Sequence, residues 1–543
     1  MKKLFSLFIA AALIFCIFST VSYAGSEKFE SLSFPEEAIS PFTDDLFKTV
    51  SSGDDYISNC GHNRTGTFIS PYWLCSVNGK AVDVYASLTY DEEIGGGVLH
   101  SYSCIWIESG AKPEITLESL ENPGNAVILP QKDYSDFRIS GNRISFSVNN
   151  FGSFTCLIND DDMRFAFTLF VREYTDEEAE IEALKKEYGE SRVAVYEKRY
   201  YETDVMIADD YDAVYFRRGS YFCAKHIYDL RSDEEAAAIP QTREFILLYG
   251  RNNIKIKGYG TLDFTKLDRK ERSPMFVSNC TECSVEGLCF LNSGGWTLTA
   301  YACENLDISD ITQFSYRTNS DGINICGCNN VNVSDSFIRN GDDSFSVKTT
   351  NIHYEAHDIA FDNCIGWSTK ARCFGITGEV ERDIYNIIFR NSYVFNRNAT
   401  WDNDRVSSLA ISVECGKGQI SNVLFENIDI RSDKGRAFNC IIYGKDVENC
   451  NIKDIKLKNI RFTCGEKPKI STRLNATFLQ KICFVLNRIL KIFGIESNKI
   501  TAYCGGNHID ILFENVIAGG TGLTQKNHSR FIETEGFADI VFC

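Results

Sequence analysis

Three aspartates are spaced so that their carboxyl groups could come together. Asp321 lies in the tetrapeptide NSDG, and Asp342 and Asp343 follow in GDD, so that Asp342 comes 21 residues after Asp321. Carboxyl groups that share a site repel one another, and burial together with like charge raises the pKa of at least one of them. One group can then donate a proton while another accepts one. The alternative is turn chemistry, because Asp-Gly and Gly-Asp pairs are common in turns.

The segments around these aspartates repeat along the chain. A short strand pattern with an Asn or Asp a few positions in recurs at intervals of 23, 25, 28 and 28 residues, and then of 36, 32 and 56. The copies begin at Cys283, Leu306, Val331, Ile359, Ile387, Val423, Ile455 and Ile511. Repeated strands with one longer loop per copy are typical of a parallel β-solenoid, whose coils bury their inner faces by stacking. The leucine spacing of a leucine-rich repeat and the Trp-Asp signature of a propeller are both missing.

A solenoid explains the interval between the aspartates. One coil along the chain corresponds to one strand spacing, about 4.8 Å, along the axis. We therefore expect Asp321 and Asp342 to stack on one face, with Asp343 beside them. The recurrent Asn suits a turn position with left-handed backbone, where stacked amides can form a ladder. The fold class that follows is all-β, a parallel β-helix preceded by a β-sandwich.

The chain divides into segments of different character. Residues 25–175 alternate apolar and polar residues between turn signals such as NPGN and SGN, which predicts a β-sandwich. The charged, helix-favouring residues 176–204 are predicted to form a linker or a short connecting helix, and residues 205–543 to form the β-helix. An insertion at about 466–505 carries apolar residues at helical spacing from Asn475 to Ser497. We expect this helix to pack on the flank of the solenoid, with an interfacial or partner-binding helix as the alternative.

The N-terminus predicts export. Two lysines precede an apolar run from Leu4 to Phe18, and Ser22-Tyr23-Ala24 is a small-x-small cleavage site, so residues 1–24 read as a secretory signal peptide of bacterial type. Cleavage would leave 20 of the 21 cysteines. Many of them lie in apolar strand patterns, where free cysteine behaves as a small hydrophobe, and the spacing indicates no disulfide pairing.

The net charge restricts the partners. The formal charge is −18, and loss of the two signal lysines would make it about −20. Such a surface repels nucleic acid and anionic membranes. We therefore expect a secreted monomer with a polysaccharide partner, no nucleic acid and no membrane anchor.

The aspartate motifs resemble those of a known family. Asn319-Ser320-Asp321-Gly322 followed by Gly341-Asp342-Asp343 resembles the catalytic signature of the polygalacturonases, glycoside hydrolase family 28. The resemblance covers about residues 213–430. It implies a right-handed parallel β-helix, inverting hydrolysis of a polysaccharide, Asp342 as general acid, and Asp321 and Asp343 as the groups that activate water. It implies no cofactor.

The chain also departs from that family's pattern. The place of the family's Gly-His-Gly reads Cys373-Phe374-Gly375, without histidine, and no Arg-Ile-Lys lies near residues 393–405. The chain is also similar to the dextranase type, glycoside hydrolase family 49, which joins a β-sandwich to a β-helix. The expected substrate is therefore a pectin-type or related glycan, with a dextranase-like α-glucan as the alternative.

Further residues are candidates for substrate binding rather than proton transfer. We predict this role for residues near the aspartates that carry polar, charged or aromatic side chains: Asn319, Lys348, Arg372, Glu379 and Trp401. The alternatives are that Lys348 is a solvated lysine, that Arg372 and Glu379 form a surface ion pair, and that Trp401 only anchors a loop. We expect no metal site, because no second Cys or His pair follows Cys280 and Cys283 at zinc-site distance, and His353 and His357 lie in a loop-to-strand segment rather than on a helix.

Three other possibilities remain open from the sequence. The three aspartates could hold calcium, as in a polysaccharide lyase. The solenoid could also bind carbohydrate without cleaving it. Finally, carboxyl groups about 5 Å apart normally indicate a retaining hydrolase, whereas the resembling families invert.

Overall fold

The computed structural model describes most of the chain after the N-terminal segment. The described residues are 29–42, 64–91, 96–159, 163–203, 206–207, 210–225, 244–267, 272–395, 405–432, 435–444, 447, 450–463, 466–472, 508–535 and 538–543. The predicted signal peptide, Trp401 and the predicted helix Asn475 to Ser497 lie outside these ranges. No helix within them is long and apolar enough to cross a membrane.

The N-terminal part folds as two packed antiparallel-rich sheets, as the alternating pattern predicts. One sheet has the order β2-β5-β6-β12-β11-β8 with β1 beside β6, and the other has the order β4-β3-β7-β10-β9. The strands are β1 (Phe29–Ser31), β2 (Phe68–Ile69), β3 (Trp73–Val77), β4 (Lys80–Val82), β5 (Tyr85–Asp91), β6 (Gly96–Ile107), β7 (Glu114–Ser119), β8 (Ala126–Leu129), β9 (Tyr134–Ser140), β10 (Arg143–Val148), β11 (Gly152–Ile158) and β12 (Phe167–Glu173). Buried side chains of both sheets, such as Trp73, Phe146 and Phe167, form one core.

One α-helix, α1 (Glu177–Tyr188), leads into the solenoid. Asp176 caps it, because its side chain accepts hydrogen bonds from the backbone N–H groups of Glu178 and Ala179. Short 3₁₀ turns lie at Glu36–Ala38, Met163–Phe165, Glu190–Arg192 and His528–Arg530. The stacked strands begin at Val193, inside the segment 176–204 that the sequence analysis assigns to the linker.

The rest of the described chain is a parallel β-helix with three stacks of strands, so the predicted fold class is confirmed. The first stack contains β13 (Val193–Tyr196), β16 (Ala213–Phe216), β19 (Lys255–Gly258), β22 (Thr281–Glu286), β25 (Glu304–Ser309), β28 (Asn329–Ser334), β31 (Ala356–Asp362), β34 (Ile384–Arg390), β37 (Ile420–Arg431), β39 (Asn451–Phe462), β41 (His508–Glu514) and β45 (Ala538–Phe542). The second contains β14 (Tyr200–Thr203), β17 (Tyr221–Ala224), β20 (Thr261–Asp263), β23 (Cys289–Leu291), β26 (Thr312–Thr318), β29 (Phe337–Gly341), β32 (Ile365–Ser368) and β35 (Tyr393–Phe395), continued by the ends of β37 and β39 and by β42 (Ile517–Ala518) with β43 (Thr521–Gly522). The third contains β15 (Met206–Ile207), β18 (Glu244–Tyr249), β21 (Ser273–Ser278), β24 (Leu298–Tyr301), β27 (Ile323–Cys326), β30 (Phe345–Thr349), β33 (Phe374–Val380), β36 (Ser407–Cys415), β38 (Arg436–Ile442), β40 (Lys469–Ser471) and β44 (Glu533–Glu535).

The sequence repeat coincides with the stacking register of the first stack. The eight predicted starting residues pair consecutively, from Cys283 with Leu306 to Ile455 with Ile511. These side chains point inward and are almost completely buried. The register follows the sequence because each coil must place an apolar side chain over that of its neighbour.

Asparagine and aspartate residues line the turns on both sides of the first stack. Asn391, Asn427 and Asn459 all have a positive φ, between 52° and 55°. The Asn427 amide donates to Oδ1 of Asn391 at 3.0 Å, and the Asn459 amide donates to Oδ1 of Asn427 at 2.8 Å. The predicted amide ladder is therefore present, and it satisfies polar groups while holding a backbone conformation that asparagine tolerates.

The sandwich packs against the second stack of the β-helix. Arg339 of β29 is fully buried and donates from Nη1 to Nδ1 of His100 in β6 at 2.5 Å, and its guanidinium lies 4.0 Å from the Trp367 ring. Burial, and then the Arg339 charge, lower the pKa of His100 well below its ordinary value, which keeps the imidazole neutral as an acceptor. Asp263 adds a second link, because it accepts from the Gly66 N–H at 2.7 Å.

Cysteine serves the core of both domains as a small apolar residue. Within the described ranges no disulfide bond joins two cysteines, and most of the thiols, such as those of Cys156, Cys364 and Cys440, are buried. Burial raises the pKa of the Cys364 thiol, so it stays protonated.

The ladder predicts a measurable cost when one member is removed. Asn427→Ala loses both ladder bonds and forces a β-carbon into left-handed backbone, so we expect a loss of about 2 kcal/mol in the free energy of unfolding. Asn427→Gly is the matched control, because it loses the same bonds without the steric cost and should lose only about half as much. Urea unfolding measures both. Equal losses, or none, would contradict the ladder's role.

Candidate active site

The three aspartates lie at the edge where the chain enters the third stack. Ile323 of β27 pairs with Phe345 of β30, which pairs with Phe374 of β33. Asp321 and Asp343 each precede their strand by two residues, so they occupy the same position on neighbouring coils. The prediction that Asp342 stacks on Asp321 was therefore wrong by one residue, because the coil adds 22 residues here.

Glycines next to the aspartates allow the coils to approach. A β-carbon at Gly322 would lie 2.3 Å from the carbonyl oxygen of Ser344, and one at Gly341 would lie 2.2 Å from that of Arg317. The Gly322 N–H donates to the Asp343 carbonyl at 2.8 Å. The glycines of both motifs therefore serve close backbone contact, which holds the aspartates in register.

Asp343 is held in its ionised form. Its Oδ1 accepts from Nη1 of Arg372 at 3.3 Å, and its Oδ2 accepts from the Thr377 hydroxyl at 2.7 Å. Burial raises the pKa of this carboxyl group, but the positive charges of Arg372 and Lys348 outweigh burial and hold the pKa below its ordinary value.

The pKa values of Asp321 and Asp342 are shifted in the opposite direction. Burial, and then the neighbouring Asp342 charge, raise the pKa of Asp321 well above its ordinary value. Burial, and then the Asp343 charge, raise the pKa of Asp342 to about 6. Asp342 is the one partly exposed member, whereas Asp321 and Asp343 are 2% and 3% exposed. Carboxylate oxygens of the three lie within 4.8 Å of one another, so this pair shares protons in the field of an ionised third group.

Lys348 neutralises the cluster from within. Its Nζ lies 3.5 Å from Oδ2 of Asp321 and 3.6 Å from Oδ2 of Asp343. It also lies 3.9 Å from Oε2 of Glu379 and 4.7 Å from the centre of the Trp296 ring. Burial alone would lower the pKa of this ammonium group, but the surrounding carboxylates raise the pKa above its ordinary value. The lysine is therefore a charged part of the site and not a solvated side chain.

A bulge in β33 completes the cluster. The register shifts between Val347 and Thr349, so that Lys348 faces three residues of the next coil, 377–379. Gly378 within the bulge has a φ of 81°. The bulge allows Thr377 to reach Asp343 and Glu379 to reach Lys348.

Four of the five predicted binding residues surround the aspartates. Lys348, Arg372 and Glu379 make the contacts described above. Asn319 contributes its backbone N–H, which donates to Oδ2 of Asp342 at 3.2 Å. Trp401 lies outside the described residues.

Three further residues belong to the site but were not predicted from the sequence: Trp296, Thr377 and Asn324. Trp296 is partly exposed and stands two residues before β24, so it shares the position of Asp321 and Asp343 one coil earlier. Counting back from each third-stack strand would have found it. The Asn324 amide donates to Oδ2 of Asp321 at 3.3 Å. Nothing in the sequence marks Thr377, because its place depends on the bulge.

The raised pKa of Asp342 makes a prediction about stability. The folded pKa of about 6 lies above the ordinary value of 3.8, so the folded chain binds more protons between these values, and this group's contribution to stability falls as pH rises through that window. Asp342→Asn removes the contribution. We expect the variant's stability relative to the wild type to improve between pH 4 and pH 7 by on the order of 2 kcal/mol.

Urea unfolding at the two pH values measures this change. Asp454→Asn is the matched control, since Asp454 is exposed on β39 of the first stack, away from the aspartate cluster. An Asp342→Asn difference that is constant with pH, or that improves toward acid, would contradict the raised pKa.

Comparisons with known proteins bear on the family and on the fold. The sequence model of Glycosyl hydrolases family 28 matches residues 248–477. The chain is 25% identical over 210 residues to a probable exopolygalacturonase B of Emericella nidulans, covering 34% of this chain and 46% of that protein. It is 25% identical over 204 residues to the α-L-rhamnosidase rgxB of Aspergillus niger, again covering 34% and 46%. The chain thus spans less than half the length of these curated relatives.

A solved structure supports the fold over nearly the whole chain. Dex49A from Penicillium minioluteum superposes with a TM-score of 0.55 at 12% identity, covering 96% of this chain and 100% of that one. This likeness concerns the architecture alone. The predicted family resemblance is confirmed over residues 248–477, which are similar to the glycosyl hydrolases of family 28.

Proposed function

We propose that this protein is a secreted glycoside hydrolase that cleaves a polysaccharide by carboxylate acid and base catalysis. The observation that carries the proposal is the division of the cluster into a partly exposed, protonatable Asp342 and a buried, ionised Asp343. Glycosidic cleavage needs these two states side by side. The family resemblance and the predicted signal peptide support the rest.

Each carboxyl group takes a separate role in the proposed reaction. Asp342 donates its proton to the glycosidic oxygen as the bond to the anomeric carbon breaks. A water molecule that contacts Asp321 and Asp343 attacks that carbon and gives its proton to Asp343. Lys348 and Arg372 stay ion-paired and limit the pKa of Asp343, so that a carboxylate is present before substrate binds.

Inversion at the anomeric carbon is part of the proposal. Oxygens within 4.8 Å of one another would by spacing alone suit a retaining pair. Direct attack by Asp343 is disfavoured, however, because both of its oxygens are engaged by Arg372 and Thr377 and the side chain is buried. A water molecule is the nucleophile that this arrangement allows.

The charges at the site favour a glycan other than plain homogalacturonan. Lys348 and Arg372 are already paired with carboxylates, and Glu379 adds a partly exposed negative charge. Lys370 differs, because its Nζ donates to the Thr318 hydroxyl at 3.1 Å and lies 4.7 Å from the centre of the Tyr90 ring. A branched pectin or a neutral α-glucan fits this balance, and Lys370 is the cation that a sugar carboxylate would use.

The proton donor is tested by one substitution. Asp342→Asn keeps the shape of the side chain and removes the transferable proton, so we expect reducing-sugar release to fall at least about 1,000-fold with the fold intact by circular dichroism. Asp454→Asn should keep full activity. Turnover by Asp342→Asn within tenfold of wild type would show that Asp342 is not the acid.

Chelation separates hydrolysis from elimination. Lys348 supplies positive charge between Asp321 and Asp343, so the proposed reaction needs no metal, and activity should be unchanged after treatment with EDTA. Loss of activity that calcium restores, together with an unsaturated product that absorbs in the ultraviolet, would identify a calcium-dependent lyase instead.

The substrate is tested by a panel with the mature protein. We expect hydrolysis of rhamnogalacturonan, dextran or pullulan to exceed that of polygalacturonate, with inverted product anomers read by NMR. Salt-sensitive activity on polygalacturonate alone, lost in Lys370→Ala, would make the protein an ordinary pectinase. Binding without turnover of any glycan would favour the non-catalytic solenoid.

A further inference from the structure

A group of aromatic rings lies on the outer face of the third stack, over coils that precede those of the aspartates. Phe276 of β21 and Tyr301 of β24 are stacked, with ring centres 6.2 Å apart, and Tyr354 meets Tyr301 edge-on at 5.8 Å. We call these three residues the aromatic platform. Phe276 and Tyr301 are partly exposed, and Tyr354 is 39% exposed.

The platform is in register with the active site. Phe276 pairs with Thr299, which pairs with Asn324, the residue whose amide contacts Asp321. Phe276 is thus two coils from Asn324, which corresponds to about 10 Å along the axis. Tyr301 stands in the same way two coils before Lys348, through Cys326. Both groups therefore face the same side of one sheet.

One loop connects the two places directly. Residues 350–355 follow β30, which carries Lys348, and fold back toward the earlier coils. Gly327 makes room for this path, because a β-carbon there would lie 2.7 Å from the β-carbon of Tyr354 and its φ is 60°. Tyr354 is therefore placed over Tyr301 by the same loop that leaves the catalytic cluster.

The neighbouring outward positions of the third stack carry apolar and hydroxyl side chains. Ser278 and Thr299 lie on the coils of the platform, and Leu247 and Tyr249 lie on the preceding coil, where Tyr249 is 65% exposed and extends the aromatic surface. Exposed aromatic side chains in a group mark a binding surface, since they cost free energy in water. Faces of aromatic rings bind flat apolar surfaces, such as the C–H face of a sugar ring.

We propose that the aromatic platform binds sugar rings of the same glycan chain at a subsite displaced by at least about 10 Å along the solenoid axis from the catalytic cluster. This proposal rests on the proposed function and extends it, because a subsite at this distance favours long chains over short ones. Stacking selects the shape of the sugar face rather than a charge.

The test compares long and short substrates in the full mature protein. In the double variant Tyr301→Ala with Tyr354→Ala, we expect KM for the best polymeric substrate of the panel to rise about tenfold, and KM for its disaccharide or aryl-glycoside to rise much less. Phe137→Ala is the matched control, because Phe137 is an aromatic residue 37% exposed on the sandwich. It should leave both constants unchanged.

Each outcome decides the proposal. An equal rise for long and short substrates, or no rise, would overturn it, and a rise in the control would show a general surface effect and also overturn it. If the wild type cleaves no glycan, affinity electrophoresis in gels that contain each polymer replaces the kinetics. Retardation of the wild type that the double variant loses would then support the platform while the proposed function fails, and no retardation of the wild type would overturn both.

Discussion

The structure depends on the parallel, in-register stacking of coils, which places equivalent side chains one strand spacing apart. For apolar residues this stacking is favourable and builds the core. For carboxylates it is unfavourable, because two charges about 4.8 Å apart in a buried place repel strongly. At one position of the third stack the chain nevertheless carries Asp321 over Asp343. The repulsion is resolved by Lys348 between them, by Arg372 on the following coil and by retained protons on Asp321 and Asp342.

At the turns of the first stack, the same stacking places uncharged side chains over one another. There the equivalent position carries asparagine, whose amide both donates and accepts, so each coil satisfies its neighbour without charge. The contrast separates residues that support the solenoid from residues that cost it stability. A group such as Asp342, with a pKa raised by burial and like charge, lowers stability near neutral pH and has a place in chemistry rather than in folding.

The fold could be predicted from the sequence because the repeat is an apolar pattern. The positions from Cys283 to Ile511 had to be buried on one face, and the structure pairs them in that order. The composition of the site could also be predicted, since Asn319, Lys348, Arg372 and Glu379 meet the aspartates. The contacts between the residues of the site could not be predicted, because they depend on coil lengths and on the β33 bulge. This coil is one residue longer than the interval between Asp321 and Asp342, so Asp343 rather than Asp342 lies over Asp321. Only the register shows that Trp296 shares their position.

The central claim is that the pKa of Asp342 is raised toward neutrality while the pKa of Asp343 beside it is lowered. Carbon-13 NMR titration of the protein labelled at aspartate carboxyl carbons tests it most directly. We predict a resonance that titrates near pH 6 and disappears in Asp342→Asn, and a further resonance, absent from Asp343→Asn, that titrates below the ordinary range of aspartate. A cluster in which no aspartate titrates above pH 5 would contradict the account.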